Sequence, residues 1–405
     1  MDLLSPGNFR RGQPHAQFAW LREHAPVYRH PEPDGPGFWA LTRHEEVRAV
    51  GRDSGLFSSE RGMTISDSPA GSGGETGGAK MMLVMDPPEH TQFLRLLSRE
   101  FTPRAARALA PRIRALAAQI VDEVIERGEC DFVAEIAGEL PSYVIAELVG
   151  MPLDDGRKLY ELTETLHTSP ESQPPGAQAR ATGEMFAYAS RLIEAKRRRP
   201  GGDLATQLLQ AEIDGRRLTD VEFQLFFMLL IDAGGDTTRN LVAGGMLALL
   251  EHPEQQARLR ADIERRLPTA REELLRWTSP VVYMRRTATA DTELAGVPIA
   301  AGDKLVMYYG SANRDPRAFP DAGSFDVGRS PNHHVAFGGG GAHFCLGAHV
   351  ARIEIDAMLR EVLLRLDGLE LTEEPEWLES NFISGPRRMP VRFRPGRWVS
   401  ERRSA

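Results

Sequence analysis

Phe337-Gly338-Gly339-Gly340-Gly341-Ala342-His343-Phe344-Cys345-Leu346-Gly347 is the stretch on which the reading of this chain turns. Four consecutive glycines allow positive φ and let the backbone approach a flat ligand closely. They lead to a single cysteine at the start of an apolar, Ala-rich segment, 346–363, that reads as a helix. A thiol at a helix N-terminus is biased toward thiolate by the unsatisfied N–H groups there. The plain alternative is a buried structural cysteine after a flexible loop. Zinc is poorly served, because only His343 and Cys345 cluster here and a structural zinc site takes four ligands. One thiolate beside a glycine-lined flat surface suits a haem iron, which takes one protein ligand on its proximal side.

The rest of the 405 residues sets bounds. An apolar fraction of 41% and a charged fraction of 26% are globular values that fill a sizeable core. The net charge of −8 argues against nucleic acid as a partner, since phosphate binding needs surplus Lys and Arg. Cys130 and Cys345 are the only cysteines, which excludes a disulfide framework and fits a reducing cytosol. Met1 to Arg11 holds no apolar signal core, so a cytoplasmic location is expected. The longest apolar run, Val221 to Leu250, carries Glu222, Asp232, Asp236 and Arg239. Charges at mid-span are costly in a bilayer, so this run reads as a buried core helix, not a membrane span.

Val27 to His30 and Phe38 to Thr42, separated by Pro and Gly, read as a β-hairpin. Residues 61–80 form a Gly/Ser-rich loop with five glycines between Gly71 and Gly78. Helical patterns follow at about 88–100, 104–127, 133–149, 154–166, 178–199, 218–250, 254–265, 269–277 and 346–363. Short β signals return at 281–308 and 389–394. The segment 309–344 is long and irregular, which in a compact domain points to function. The expected fold is one mainly α domain over 1–405, core about 27–394, with small peripheral β-sheets.

Five motifs in order give the chain a family likeness. They are Asp86-Pro87-Pro88-Glu89-His90-Thr91, Ala233-Gly234-Gly235-Asp236-Thr237-Thr238, Glu273-Leu274-Leu275-Arg276, Ala312-Asn313-Arg314-Asp315-Pro316 with Phe325-Asp326-Val327-Gly328-Arg329, and the cysteine loop itself. Together they resemble the cytochrome P-450 superfamily of haem-thiolate monooxygenases, along most of the chain. The resemblance implies the cytochrome P-450 fold and haem b (iron protoporphyrin IX) held by Cys345. It implies that His90, Arg286 and His343 pair with the haem propionates, and that Phe337, Gly339, Gly347, Ala233 and Gly234 lie against the cofactor. Glu273, Arg276 and Arg329 would form a structural network beneath it. Asp236 would relay protons and Thr237 would serve the bound oxygen. Without the resemblance, His90 and Arg286 read as surface residues, and Glu273 with Arg276 as a surface i,i+3 pair. The threonines of the 233–238 motif read as bonded back to helix carbonyls beside a glycine kink.

Two positions depart from the pattern. Phe337 stands eight residues before Cys345, where the signature has seven. The arginine expected four residues after His90 is Leu94, with Arg95 one step on. One residue turns a helical side chain by about 100°, so Arg95 is expected on the proximal surface.

Expected pocket walls are the 61–85 loop, Leu229, Leu230, Asp232, Ala233, Val281, Val282 and Ile383. No flavin or nicotinamide domain is visible, so the resemblance implies a ferredoxin or flavodoxin with its reductase. Arg95, Arg99, Arg104 and Arg352 offer that donor a positive patch. The implied substrate is a small, largely apolar molecule: a terpenoid, steroid, lipid, polyketide or carrier-protein-bound metabolite. A peroxide-driven or non-oxygenating haem-thiolate enzyme is the second reading, and a haem-binding sensor the third. The adjacent Asp236 and Thr237 rank both below the first.

Overall fold

A computed structural model describes residues 1–33, 35–66 and 78–399. Among the described residues thirteen α-helices run, in order, α1 His15–His24, α2 His44–Arg52, α3 Glu89–Ser98, α4 Pro103–Ile125, α5 Glu139–Val149, α6 Leu153–His167 and α7 Ala177–Arg198. They continue as α8 Leu204–Gln210, α9 Asp220–Glu251, α10 Pro253–Arg260, α11 Ile263–Thr278, α12 Tyr309–Ala312 and α13 Ala348–Arg365.

The long central helix α9 is started by its own sequence. Thr219 Oγ1 accepts from the Glu222 N–H at 3.2 Å, and the Glu222 carboxylate accepts from the Thr219 N–H at 2.7 Å. This reciprocal box satisfies two donors that a helix start leaves free. Helices α5, α6, α7 and α11 pack around α9, and α13 packs along both α4 and α9. One large apolar cluster fills the space between them, including Phe223, Phe227, Ile113 and Met358.

A five-stranded sheet lies to one side, in the order Val27–His30, Phe38–Leu41, Lys304–Tyr308, Tyr283–Ala288, Phe57–Ser58. The expected hairpin is its first pair, with Val27 opposite Leu41 and His30 opposite Phe38. The C-terminal β signal becomes Pro390–Arg392, paired with Glu370–Leu371 and with Glu129–Asp131. Cys130 is buried in that small sheet opposite Val391, and burial pushes its thiol up to about 12.

The expected helix over 133–149 is divided. Gly138 separates a π turn, Val133–Ala137, from α5. Helices α1, α2 and α8 were not among the expected elements. Each is ten residues or fewer, too short for an apolar period to stand out. The glycine-rich loop expected over 61–80 falls largely outside the described residues. The Ser169 N–H donates to Glu379 O at 3.1 Å, and Gln173 Nε2 donates to the Thr165 and Thr168 carbonyls.

Candidate active site

The cysteine loop is shaped by its glycines. Gly338, Gly340 and Gly341 have φ of +94°, +106° and +77°, the left-handed region that side chains avoid. Gly339 has a different reason to lack a side chain. A Cβ there would lie 2.8 Å from the Val47 carbonyl oxygen on α2, and its backbone also abuts Gly51. Gly339 therefore packs against α2 and, unlike Gly338, is absent from the cavity lining, where the resemblance placed it. The Cys345 N–H donates to Phe337 O at 3.0 Å and closes the loop. The one-residue excess between Phe337 and Cys345 is absorbed by these positive-φ glycines.

Cys345 is exposed, but onto an internal cavity whose lining it shares with Phe337, Gly338 and Gly347. Burial pushes the thiol up, while the N–H groups of Gly347 and Ala348 and the Arg352 charge pull the other way. Arg352 stacks over the Phe337 ring at 4.6 Å and donates to both Glu272 oxygens at 2.8 Å. Its charge is thus already paired, which removes it from the expected positive patch.

At one edge of the cavity three basic side chains meet. The His90 and His343 rings lie 4.2 Å apart, and Arg286 joins them as a third lining residue. His90 and Arg286 are buried. Among the described residues His90 Nδ1 has no hydrogen-bond partner, and the Arg286 guanidinium donates only to the Arg285 carbonyl, at 2.7 Å. Among the described residues no carboxylate pairs with any of the three. Burial holds His343 down at about 3, with repulsion from Arg286 and His90 adding to it. One buried guanidinium beside two imidazoles, one of them with an orphaned nitrogen, makes a cradle for anions, since a bound anion would favour the protonated rings that the empty site disfavours. Two carboxylates on one flat ring fit it.

Leu94 lines the cavity and Arg95 is exposed, so the expected step of one residue does turn the arginine outward. Helix α9 continues through Gly234 and Gly235. The glycines serve packing: a Cβ on Gly234 would meet Ile145 at 3.3 Å, and one on Gly235 would meet Tyr160 at 3.2 Å. Ala233, Gly234 and Thr237 line the same cavity as the cysteine. The Thr237 hydroxyl donates to Ala233 O at 2.9 Å.

Leu229, Leu230, Asp232, Val281 and Ile383 also line the cavity, and Val281 pairs with Ile383 in an isolated antiparallel bridge. Val282 does not line it. Neighbours on an extended chain point oppositely, and Val282 is fully buried in a separate cluster with Phe18 and Tyr308. Asp236 is sealed, at 0% exposure, and is not a wall residue. Its oxygens accept from Arg239 Nη2 at 2.7 Å and face His167 Nδ1 at 2.6 Å. Burial alone would raise this carboxyl, but Arg239 and His167 overcome that and hold it at about 2.

His167 was missed in the sequence. It ends α6, where a basic residue reads as a partner for the helix dipole. No spacing links it to an acid 65 residues further on. Its other nitrogen, Nε2, lies 3.1 Å from Asp232 Oδ1, at ion-pairing distance without hydrogen-bond alignment.

Beneath the cysteine loop, Glu273 and Arg276 are both at 0% exposure and bonded twice, at 2.7 Å. Arg329 Nε donates to the same carboxylate at 3.1 Å, and Asn332 Nδ2 at 3.1 Å. Arg276 also donates to the carbonyls of Asn313, Ala322 and Ser324.

The Cys345 thiol, the cradle of His90, Arg286 and His343, and Thr237 line one cavity, with Asp236 sealed behind it. The cytochrome P450 family profile matches residues 177–393. A Mycobacterium tuberculosis protein named methyl-branched lipid omega-hydroxylase is 40% identical over 386 residues, 92% of this chain and 90% of that protein. The chain is a cytochrome P450. A Rhodococcus jostii steroid C26-monooxygenase is 36% identical to this P450, over 97% of the chain and 84% of that protein. Among solved structures, Mycobacterium marinum cytochrome P450 CYP268A2 in complex with pseudoionone superposes with a TM-score of 0.91 at 39% identity, covering 97% and 98% of the two chains. P450BioI in complex with hexadec-9Z-enoic acid ligated acyl carrier protein superposes at 0.84 with 30% identity, covering 94% and 98%. This P450 is a haem-thiolate monooxygenase by family, with protoporphyrin IX haem as its cofactor. Among the described residues no helix is long and apolar enough to cross a membrane.

Proposed function

We propose that this P450 inserts one oxygen atom from O2 into a C–H or C=C bond of a largely apolar terpenoid, steroid or lipid, free or carried on a carrier protein. Electrons come from an external ferredoxin or flavodoxin and its reductase. The observation that carries this reading is the cavity, which Cys345, Ala233 and Thr237 line together and which is walled mainly by Leu, Val, Ile, Met and Phe. The names of the relatives, a lipid hydroxylase and a steroid monooxygenase, support the same substrate classes.

Each residue then has a part. Cys345 is the single protein ligand to iron, and His90, Arg286 and His343 receive the two propionates. The haem, when bound, supplies the oxygen chemistry. Leu229, Leu230, Val281 and Ile383 exclude water and hold the substrate's apolar body. Thr237 turns its hydroxyl from Ala233 O toward the oxygen side of the cavity. Asp232, a quarter exposed, offers its carboxylate to a substrate hydroxyl or N–H. Arg95, Arg99 and Arg104 are exposed and form no ion pair among the described residues, and they meet an acidic electron donor.

The test pairs spectra with turnover. The reduced carbon-monoxide adduct should show the red-shifted thiolate Soret band, absent in Cys345→Ala. Apolar candidates that shift the spin state should be oxidised at the expense of O2 with a surrogate ferredoxin system. Asp232→Leu should change affinity or the carbon attacked. Unchanged binding and regiochemistry in that variant would remove the polar handle.

A further inference from the structure

His167 sits between two acids of one helix face. Asp232 and Asp236 are one turn apart on α9, and each places an oxygen within ion-pairing distance of a different ring nitrogen, at 3.1 Å and 2.6 Å. A neutral imidazole carries one N–H, so one nitrogen would turn its lone pair on a carboxylate. Only the imidazolium suits both. Charge agrees. Asp236 pairs with Arg239, Arg239 with Glu164, and Glu164 with Arg387, which reaches solvent. Asp232, Asp236 and Glu164 bring three negative charges and the arginines two positive, so one cation is lacking unless His167 is charged. The remaining neighbour is the uncharged Phe382 ring, edge-on at 6.1 Å.

The surroundings of Asp236 leave one route for a proton. The acid has no exposed surface, and the side chains bonded to its oxygens among the described residues are Arg239 and His167. A guanidinium does not give up its proton in proteins. His167 is therefore the bonded neighbour able to pass a proton to Asp236. We propose that His167 is a positioning residue that stores the proton for Asp236 and fixes that acid's rotamer through Nδ1. In the step, the Nδ1–H bond breaks and an O–H bond forms on Asp236 Oδ2, with no change of oxidation state; the neutral carboxyl then turns from His167 toward the adjacent Thr237, its O–H bond breaks as the hydroxyl takes that proton, and the hydroxyl gives up its own into the cavity it lines. The ring regains its proton from solvent on the cavity side, where Asp232 is part-exposed. This deepens the monooxygenase reading, since the stored proton serves O2 cleavage.

Two measurements test it. In the diamagnetic, reduced carbon-monoxide complex labelled with 15N-histidine, the His167 signals, identified by their loss in His167→Gln, should show both ring nitrogens protonated at pH 7.5. A single neutral tautomer at that pH overturns the proposal, whether or not a substrate is known. In His167→Gln, product formed with O2 and electrons should fall by about tenfold or more, while turnover driven by hydrogen peroxide, which brings its own protons, should hold. An equal loss in both assays makes His167 merely structural, and no loss in either removes its role. Failure of the wild-type enzyme to consume O2 with product would instead count against the monooxygenase reading, and the nitrogen signals would still report on His167.

Discussion

Gly339 and Thr237 are the residues whose local surroundings make the sharpest demands. At Gly339 an added methyl group meets the Val47 carbonyl, a backbone atom that cannot swing aside. Gly339→Ala should therefore cost about 1–3 kcal/mol. The loss should show in thermal melting and in the fraction of purified protein that carries haem, with the thiolate band kept in what does. Thr237 is another matter. Its hydroxyl is bonded within its own helix, so removing it strands no buried partner. Thr237→Ala should keep its melting temperature and substrate affinity, while product per O2 consumed falls severalfold and hydrogen peroxide rises. That partition is measured with a peroxide assay beside product analysis. The motif reading of 233–238 gave Ala233, Gly234 and Thr237 as cavity residues. The plain alternative, threonines bonded back to helix carbonyls, gave the bond that Thr237 makes at rest.

Helix α11 and the irregular chain after it depend on one carboxylate. Glu273 accepts from Arg276, Arg329 and Asn332 while fully buried. Glu273→Ala would leave two guanidinium groups with an uncompensated charge in or near the core, a cost of about 3–5 kcal/mol. The expected result is protein that fails to load haem, and Glu273→Gln should recover only part of it. Haem content per chain after purification is the check. The Glu273-x-x-Arg276 spacing was legible because i,i+3 is a helix face. Its third member came only through the family likeness, because Arg329 lies in a segment without period. The same limit hid α2, whose contact with the glycine loop explains Gly339. It hid His167 too, since a pairing between the end of one helix and the middle of another leaves no spacing to read.

The molecule as a whole holds two buried acids that respond oppositely to pH. Burial raises Glu354, on α13, to about 8, against which its bond with Thr238 works only partly. Asp236 is held at about 2 by Arg239 and His167. Folding keeps the proton on Glu354, so its contribution to stability is full below about pH 4.5 and is lost as pH rises toward 8. Asp236 contributes above about pH 4 and loses that contribution as pH falls through 2. Denaturant titrations between pH 5 and 8 should accordingly show wild type weakening by on the order of a few kcal/mol, with Glu354→Gln flattening the slope. An unchanged slope in that variant would locate the pH response elsewhere. The broad architecture was legible from helical period and motif order. The cavity walls were less so, because alternation along an extended chain decided that Val281 faces in and Val282 faces away.

The carboxylate of Glu273 also sets an order of events in time. Its partners at 329 and 332 are more than fifty residues away in the chain, and contacts so distant form late, after loop-closure entropy has been overcome. Arg276 gathers carbonyls from 313, 322 and 324 onto the same helix. Until α11 is built, the chain between α12 and α13 has nothing to wrap around, and the thiol has no fixed address. Synthesis on the ribosome emits α11 before that segment, so the scaffold is ready when the cysteine emerges. Moving the chain ends into the segment between α11 and Cys345, as a circular permutation does, would reverse that order.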